Sequence, residues 1–288
     1  MQDFIAVLDF GSQYAHLIAK RIRHLGAYTK IFSPSAKENL LQDAKGIVLS
    51  GGPASVYSTD IPKFNSNILN LDLPILGLCY GHQLIAKEFG GAITNTGKGE
   101  FGKAILQQTS DFPLWQNVSF PNKVWMSHQD SVTKCPPDFK VTGVTESGNV
   151  AAMRHRKRRI YTLQFHPEVN DTEQGQKMLD NFINTCEISS KWSMETFIKE
   201  TTERLQQEVG ERKVLMFISG GVDSSVAFAL LNKALGKEKI LGLYINNGFM
   251  RKDESTEIIE RYRQLGYTNI QLRDYSTFFL DAVANQVD

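Results

Sequence analysis

Cysteine is scarce in this sequence, as are long apolar runs and any excess of one charge. The three cysteines, Cys79, Cys135 and Cys186, are odd in number and far apart, which excludes a disulfide framework and a zinc-binding spacing. The N-terminal segment has only five consecutive apolar residues, Phe4 to Leu8, so the sequence predicts neither a signal peptide nor a membrane span. The net charge of +1 gives no reason to expect nucleic acid or a membrane as a partner. We therefore predict a cytoplasmic protein.

The length and composition predict two globular domains. The chain has 288 residues, of which 41% are hydrophobic and 22% charged, and this length suits two domains of typical size. Strand-like and helical segments, including a predicted helix over 63–71, alternate up to residue 89. Shorter strand-like segments, the first over 103–108, follow up to residue 165. Such alternation favours a parallel sheet that binds ligands beyond the carboxyl ends of its strands.

A second alternation of helices and strands begins after a short polar link. Helical periodicity predicts helices over 171–185 and 194–209, one on each side of that link. The sequence therefore predicts an α/β protein with one domain over residues 1–187, a linker at 188–193 and a second domain over 194–288.

Cys79 stands where the apolar, strand-like residues 73–78 meet an amphipathic helical pattern. Gly77 and Gly81 flank it in a G-x-C-x-G frame. A nucleophile on a sharp strand-to-helix turn needs small neighbours, because the backbone there is strained and closely packed. The following helix N-terminus would favour the thiolate. The frame indicates a nucleophile, and the alternative is a buried structural cysteine.

His166 and Glu168 stand two residues apart in a segment that Pro167 biases toward an extended conformation. Their side chains would then point the same way. A carboxylate can orient an imidazole, and the imidazole can deprotonate a thiol. An oxyanion hole is also needed, and its candidate donors are the Tyr80 N–H and the turn at Gly51 and Gly52. The alternative is an exposed polar pair in a loop.

The second region has a glycine- and serine-rich loop between a predicted strand over 213–218 and a predicted helix over 223–236. Its N–H groups at a helix N-terminus would form a cradle for phosphate. Asp223 is placed either to cap the helix or to bind Mg²⁺. The alternative is a plain turn. The loop consists of Ser219, Gly220, Gly221, Val222, Asp223, Ser224 and Ser225.

Residues 50–53, 77–83, 125–130 and 164–168 together resemble the motifs of class I glutamine amidotransferases. The resemblance covers residues 1 to about 187 and implies a flavodoxin-like domain with a mixed sheet. It implies the following roles: Cys79 attacks the side-chain amide of glutamine, His166 moves the proton, Glu168 orients His166, and Gln83 with the backbone at Ser127 and His128 holds the glutamine.

The pattern of residues 219–225 resembles the PP-loop of ATP pyrophosphatases, which cleave ATP between its α and β phosphates. This resemblance implies the N-terminal part of a parallel-sheet nucleotide-binding domain that uses ATP and Mg²⁺, without an organic prosthetic group. Asn246 stands where that family usually has an aspartate, so we assign it no role.

The pairing of the two motif sets is similar to the GMP synthetase (glutamine-hydrolysing) family. The resemblance implies that xanthosine 5′-monophosphate (XMP) is adenylated and that ammonia then displaces AMP to give GMP. That family continues beyond the equivalent of residue 288 and dimerises through a C-terminal domain. We therefore expect either a truncated chain or one whose fold a separate subunit completes, and we expect that this chain alone keeps only the glutaminase half.

Two alternatives remain open at the level of the sequence. One is a stand-alone γ-glutamyl cysteine hydrolase with a non-catalytic nucleotide-binding appendage, and the other is a binding or regulatory module without turnover. The remaining histidines and cysteines receive no catalytic role. His82 and His128 are interpreted as supporting residues, and five are interpreted as structural: His16, His24, His155, Cys135 and Cys186. The basic run 154–159 is interpreted as an exposed hairpin turn, not a nucleic-acid patch.

Overall fold

The computed structural model describes residues 3–53, 55–58, 63–189, 192–284 and 286. The chain divides into two compact units, Met1–Ser193 and Met194–Asp288. Each unit has its own sheet. Among the helices of the described ranges, none combines the length and apolar character needed to cross a membrane.

The first unit contains nine strands and three α-helices within its described residues. In chain order they are β1 (Phe4–Leu8), α1 (Tyr14–His24), β2 (Thr29–Phe32), β3 (Ala44–Leu49), β4 (Ile75–Leu78), α2 (Tyr80–Glu88), β5 (Ala92–Gln108), β6 (Asn122–Lys134), β7 (Phe139–Thr145), β8 (Val150–His155), β9 (Ile160–Leu163) and α3 (Gly175–Thr185).

All nine strands form one mixed sheet in the order β2-β1-β3-β4-β9-β8-β7-β5-β6. The first five strands of this order pair in parallel, and the other four pair antiparallel. Strands β1, β4 and β9 are buried along their whole length, as expected for parallel strands covered on both faces. The predicted α/β fold with a mixed sheet is confirmed.

Apolar side chains pack on both faces of this sheet. On β1, Ile5 and Val7 belong to one buried cluster, whereas Ala6 and Leu8 belong to another, because successive side chains of a strand point to opposite faces. Helices α1 and α3 contribute to the first cluster, and α2 contributes to the second. The packing of helices on both faces holds the sheet in place, with the carboxyl ends of β1, β3, β4 and β9 at one edge.

Three predicted elements differ from the observed ones. The helix expected over 63–71 is only a short 3-10 segment, Ser66–Asn70, where the Asn65 side chain accepts the Asn67 N–H and so competes with a regular helix. The helix expected over 171–185 begins only at Gly175. The strand expected over 103–108 is the end of β5, whose pairing with β6 is irregular between Asn95 and Glu100.

The second unit is a small three-stranded parallel sheet with flanking helices. Its elements are α4 (Met194–Val209), β10 (Val214–Phe217), α5 (Val222–Leu235), β11 (Ile240–Asn246), α6 (Glu254–Gln264), β12 (Ile270–Asp274) and α7 (Ser276–Val283). The strand order is β10-β11-β12, which fits part of a PP-loop domain. The core is small and centres on Phe228, Tyr244 and Tyr262, while Leu215 and Phe217 of β10 are more than half exposed.

Candidate active site

Cys79 is the junction between β4 and α2, and its backbone is strained. Its φ of 50° and ψ of −101° lie in a sparsely populated region that costs about 1–3 kcal/mol. The flanking glycines make this turn possible. A Cβ atom on Gly77 would lie 2.6 Å from the Gly81 carbonyl oxygen, and one on Gly81 would lie 2.5 Å from the Leu49 carbonyl oxygen. The G-x-C-x-G frame is therefore a steric requirement of the turn.

His166 and Glu168 form a buried pair just beyond the end of β9. His166 Nδ1 donates to Glu168 Oε1 at 2.7 Å, and the side chains are 2% and 0% exposed. The segment is a turn, not the extended stretch we predicted, yet it still brings the two side chains together. Burial disfavours the imidazolium, but the Glu168 carboxylate and the nearby Cys79 together outweigh that effect and hold the pKa of His166 well above its usual value.

The Cys79 thiol lies beside His166 and contacts β6. The nearby Cys79 also helps to raise the pKa of the imidazole, although burial opposes it and Glu168 contributes more. Because Glu168 binds Nδ1, Nε2 is the nitrogen left for the thiol. The thiol sulfur also lies 3.6 Å from the Ser127 carbonyl oxygen. Gly51 lies beside this pair, since a Cβ there would be 3.3 Å from His166 Cε1 and 3.7 Å from Cys79 Cβ.

A cavity of about 810 Å³ opens over the thiol. Its lining brings together the following residues predicted from the sequence: Cys79, His166, Gly51, Gly52, Tyr80, Gln83, Ser127 and His128. Glu168 is fully buried and orients His166 through Nδ1. The Tyr80 N–H belongs to the first turn of α2, where N–H groups have no intrahelical acceptor. A donor in this position can bind an anion beside the sulfur.

Sequence reasoning missed several residues of this cavity, among them Ser12, Tyr14, Asn95 and Phe101. The Tyr14 ring lies 4.7 Å from the His166 ring, measured between centroids. Tyr14 begins α1, directly after the turn that follows β1. Ligand sites lie at the carboxyl ends of parallel strands. The position of this turn, after β1, was therefore the one sequence signal that could have indicated Tyr14.

Two hydrogen bonds donated by its amide nitrogen fix the side chain of Gln83. Nε2 donates to the Asp130 carbonyl oxygen at 2.7 Å and to Gln164 Oε1 at 3.2 Å. Both amide protons are therefore used, which leaves the Gln83 carbonyl oxygen available to a ligand. His128 Nδ1 lies 2.9 Å from the same Asp130 oxygen, so Gln83 and His128 are fixed against one point of β6.

Glu100 of β5 anchors His128 from the other side. Its carboxylate lies 3.3 Å from His128 Nε2 and accepts hydrogen bonds from Thr145 Oγ1 at 2.8 Å and from Ser147. Burial raises the pKa of Glu100, but these hydrogen bonds outweigh burial and lower the pKa to about 2. Glu100 pairs with His128 across the irregular register of β5 and β6, which no local sequence pattern encodes.

The structure also places the residues that received no catalytic role. His82 is fully buried, its Nδ1 lies 2.9 Å from Thr162 Oγ1, and burial lowers its pKa to about 3. Burial raises the pKa of Cys186 to about 12. His155 Nδ1 accepts two backbone N–H groups of the β8–β9 turn. In that turn Arg158 donates to the Leu69 carbonyl, so part of the basic run serves the fold.

In the second unit, the serine- and glycine-rich loop joins β10 to α5. The Ser224 and Ser225 hydroxyls donate to the Gly221 carbonyl at 3.0 Å and 2.8 Å. The Gly221 N–H donates to Ser219 Oγ at 3.3 Å. The loop runs into the N-terminus of α5, which is the geometry of an anion cradle.

Asp223 lies exposed in the first turn of α5. Within the described residues, no group of three or more His, Cys, Asp or Glu side chains could hold a metal ion. Mg²⁺ at nucleotide sites needs only one or two carboxylates besides substrate phosphates, so Asp223 fits that role. Asn246 Oδ1 accepts the Gly248 N–H at 3.1 Å and thus stabilises its own turn.

Two family models match this chain. The family model described as glutamine amidotransferase class-I matches residues 6–186, and the chain belongs to this family. The family model described as NAD synthase matches residues 193–287.

The particular relatives are enzymes named GMP synthase (glutamine-hydrolyzing). The chain is 44% identical over 288 residues to the one from Campylobacter hominis and 41% identical over 288 residues to the one from Fusobacterium nucleatum. Each match covers 99% of this chain and 56% of the relative. The chain thus spans about half the length of the curated relatives it matches. The predicted resemblance to the GMP synthetase family is confirmed.

A solved structure also resembles this chain. It is that of a Thermoplasma acidophilum protein proposed to be one subunit of a GMP synthase, with 30% sequence identity and a TM-score of 0.57. The similarity covers 65% of this chain and 94% of the other, so it supports the fold of an amidotransferase unit.

Proposed function

We propose that residues 1–187 form a glutaminase with Cys79 as its nucleophile. His166 Nε2 takes the thiol proton, and the sulfur attacks the side-chain carbonyl carbon of glutamine. The oxyanion that forms is stabilised by the Tyr80 N–H and by the backbone at Gly51 and Gly52. His166 then gives its proton to the leaving nitrogen, and ammonia departs.

The second half of the reaction uses the same groups. A γ-glutamyl thioester remains on Cys79, and His166 removes a proton from the water that attacks it. Glutamate leaves and the thiol is restored. Glu168 stabilises the imidazolium in both halves, while Gln83 and the backbone at Ser127 and His128 hold the substrate.

One observation carries this proposal. Cys79 sits on a strained turn beside His166, and both line the same cavity, while His166 is bound at 2.7 Å to a fully buried carboxylate. A structural cysteine needs neither the strain nor the imidazole–carboxylate pair. Since strained backbone persists only where the surroundings enforce it, this arrangement favours a nucleophile.

We further propose that the ammonia serves ATP-dependent amination of XMP to GMP in the whole protein. Residues 194–288 would be the N-terminal part of the ATP pyrophosphatase domain, with 188–193 as the linker. The loop of residues 219–225 would hold ATP phosphates, and Asp223 would hold Mg²⁺, which would neutralise phosphate charge. XMP would be adenylated, with release of pyrophosphate, before ammonia displaces AMP. The family match and the names of the relatives support this reaction.

The test measures two activities in the same variants, with XMP present and absent. Ammonia release from glutamine should vanish in Cys79→Ala and persist in Cys135→Ser, whose thiol lies outside the cavity lining. Asp223→Ala should keep basal ammonia release and lose XMP-dependent pyrophosphate release from ATP in the whole protein. Ammonia release that survives Cys79→Ala would refute the glutaminase proposal. Pyrophosphate release unaffected by Asp223→Ala would refute the assigned role of that carboxylate.

A further inference from the structure

Thr172 forms a hydrogen bond with the backbone of the catalytic segment, residues 166–168. This buried side chain lies in the loop between Glu168 and α3. Its hydroxyl donates to the His166 carbonyl oxygen at 2.6 Å and accepts the Trp125 N–H at 3.0 Å. The His166 N–H donates to the Trp125 carbonyl oxygen at 3.1 Å. The two backbone polar groups of His166 are thus both tied to the same point of β6.

Arg21 and Gly175 lie against the carbonyls of the next two residues of the segment, Glu168 and Pro167. Arg21 of α1 donates from Nε to the Glu168 carbonyl oxygen at 2.8 Å. Gly175, the first residue of α3, lies so close to Pro167 that a Cβ atom there would overlap the Pro167 carbonyl. The three consecutive carbonyls of residues 166–168 therefore lie against Thr172, α3 and α1, respectively.

Thr172 also connects the imidazole to the strand beside the nucleophile. Trp125 lies two residues before Ser127, whose carbonyl contacts the Cys79 thiol at 3.6 Å. One hydroxyl group therefore links the backbone of His166 to the strand that borders the sulfur. A displacement of about 1 Å in a reacting group can cost about 100-fold in rate, so a side chain that fixes the backbone of His166 relative to β6 can influence the rate indirectly.

We propose that Thr172 is a positioning residue that holds His166 against Cys79 by hydrogen bonding both the His166 carbonyl and β6. This inference rests on the proposed glutaminase function. Thr172 touches no reacting atom. Its contribution is the placement of the imidazole, which determines how readily the thiol loses its proton in both halves of the reaction.

The test compares Thr172→Val, which keeps the shape and removes the hydroxyl, with Thr172→Ser, which keeps the hydroxyl. In Thr172→Val we expect kcat for ammonia release to fall about 10- to 100-fold with KM unchanged, because the side chain does not line the cavity. Thr172→Ser should restore kcat to within about threefold of the wild type. Thr29→Val is the matched control, since Thr29 is fully buried and its hydroxyl bonds the Ala19 carbonyl.

A second readout does not depend on glutamine turnover. The rate of iodoacetamide alkylation at Cys79, resolved from Cys135 and Cys186 by peptide mass spectrometry, should fall in Thr172→Val and recover in Thr172→Ser. Suppose that the alkylation rates of the wild type, Thr172→Val and Thr172→Ser differ as predicted, but the wild type releases no ammonia from glutamine. That result would refute the proposed function and leave the positioning role standing. Equal kcat and equal alkylation rates in the wild type and Thr172→Val would overturn the positioning role.

Folding is followed by thermal unfolding of each variant, with Thr172→Ala as a second hydroxyl-free variant. Loss of the fold in both Thr172→Val and Thr172→Ala, while Thr29→Val stays folded, would show a purely structural role and would also overturn the inference. A fall in kcat that Thr172→Ser does not restore would do the same, because the hydroxyl would then not be the cause.

Discussion

Replacing Glu168 by Gln isolates the contribution of its charge. The two side chains have nearly the same shape, so the change removes the negative charge and leaves the packing around His166 in place. The 2.7 Å hydrogen bond to His166 Nδ1 would then join an imidazole to a neutral amide. Because the carboxylate holds the pKa of His166 high against burial, the pKa must fall in Glu168→Gln.

The size of the effect follows from the burial of the pair. Both side chains are at most 2% exposed, and breaking a buried charge pair costs about 3–5 kcal/mol. The charge stabilises the imidazolium that gives its proton to the leaving nitrogen, so a loss of this size in that transition state lowers kcat by about 10² to 10⁴. KM should stay unchanged because Glu168 is fully buried behind His166.

The assay is initial-rate ammonia release over a range of glutamine concentrations. Glu173→Gln is the matched control, since Glu173 belongs to the same loop and pairs at the surface with Lys123 at 3.1 Å, a kind of pair that contributes about 0–1 kcal/mol. A Glu168→Gln enzyme with kcat within about threefold of the wild type would refute the reasoning, because the buried charge would then not support the chemistry.

Three further predictions concern the turn, the cavity wall and the pH dependence of folding. Gly81→Ala should lower the free energy of unfolding by at least about 1–3 kcal/mol in denaturant titrations, because its Cβ would lie 2.5 Å from the Leu49 oxygen; stability equal to the wild type would contradict this. Glu100→Gln should raise KM for glutamine about 10-fold, as expected for a lost charged hydrogen bond to His128, while the exposed Glu146→Gln should not; an unchanged KM in Glu100→Gln would contradict it. Because the pKa of His166 is raised in the folded protein, its protonation stabilises the fold. This stabilisation is complete at pH values below about 6.5, the pKa of histidine in the unfolded chain, and is lost as pH rises through the pKa of the folded state. The difference in thermal stability between wild type and Glu168→Gln should therefore shrink above that pKa, and a difference that grows there would contradict the assignment.

Local sequence patterns predicted those parts of the site whose residues are close together in the sequence. The glycine frame around Cys79 revealed a turn that the structure shows to be sterically enforced. The spacing of His166 and Glu168 brought two side chains together even though the segment is a turn. Motif order then indicated the family, which the match over residues 6–186 confirms. The assignment of these residues to catalytic roles stays a prediction.

Contacts between distant segments could not be read from the sequence. Glu100 reaches His128 through a strand register that shifts between Asn95 and Glu100, and no composition or spacing rule encodes such a shift. Thr172 is an ordinary loop threonine until its bond to the His166 carbonyl is seen. The helix expected over 63–71 fails for a local reason, since asparagine side chains compete for backbone N–H groups.

Several expectations about the whole protein are not tested by the part of the relatives that this chain matches. The chain covers between 47% and 56% of their length. Dimerisation through a C-terminal domain, the cytoplasmic location and the use of Mg²⁺ stay predictions. So does the expectation that these 288 residues hydrolyse glutamine without making GMP.

The most direct test of the central claim is a search for the covalent intermediate. Protein mixed with glutamine is quenched in acid within its first turnover, and its cysteine peptides are analysed by mass spectrometry. We predict a γ-glutamyl thioester on Cys79, with none on Cys135 or Cys186. We also predict that the Cys79→Ala variant carries no adduct and releases no ammonia. Ammonia release by the wild type that continues undiminished in Cys79→Ala, or an adduct on another cysteine, would contradict the account.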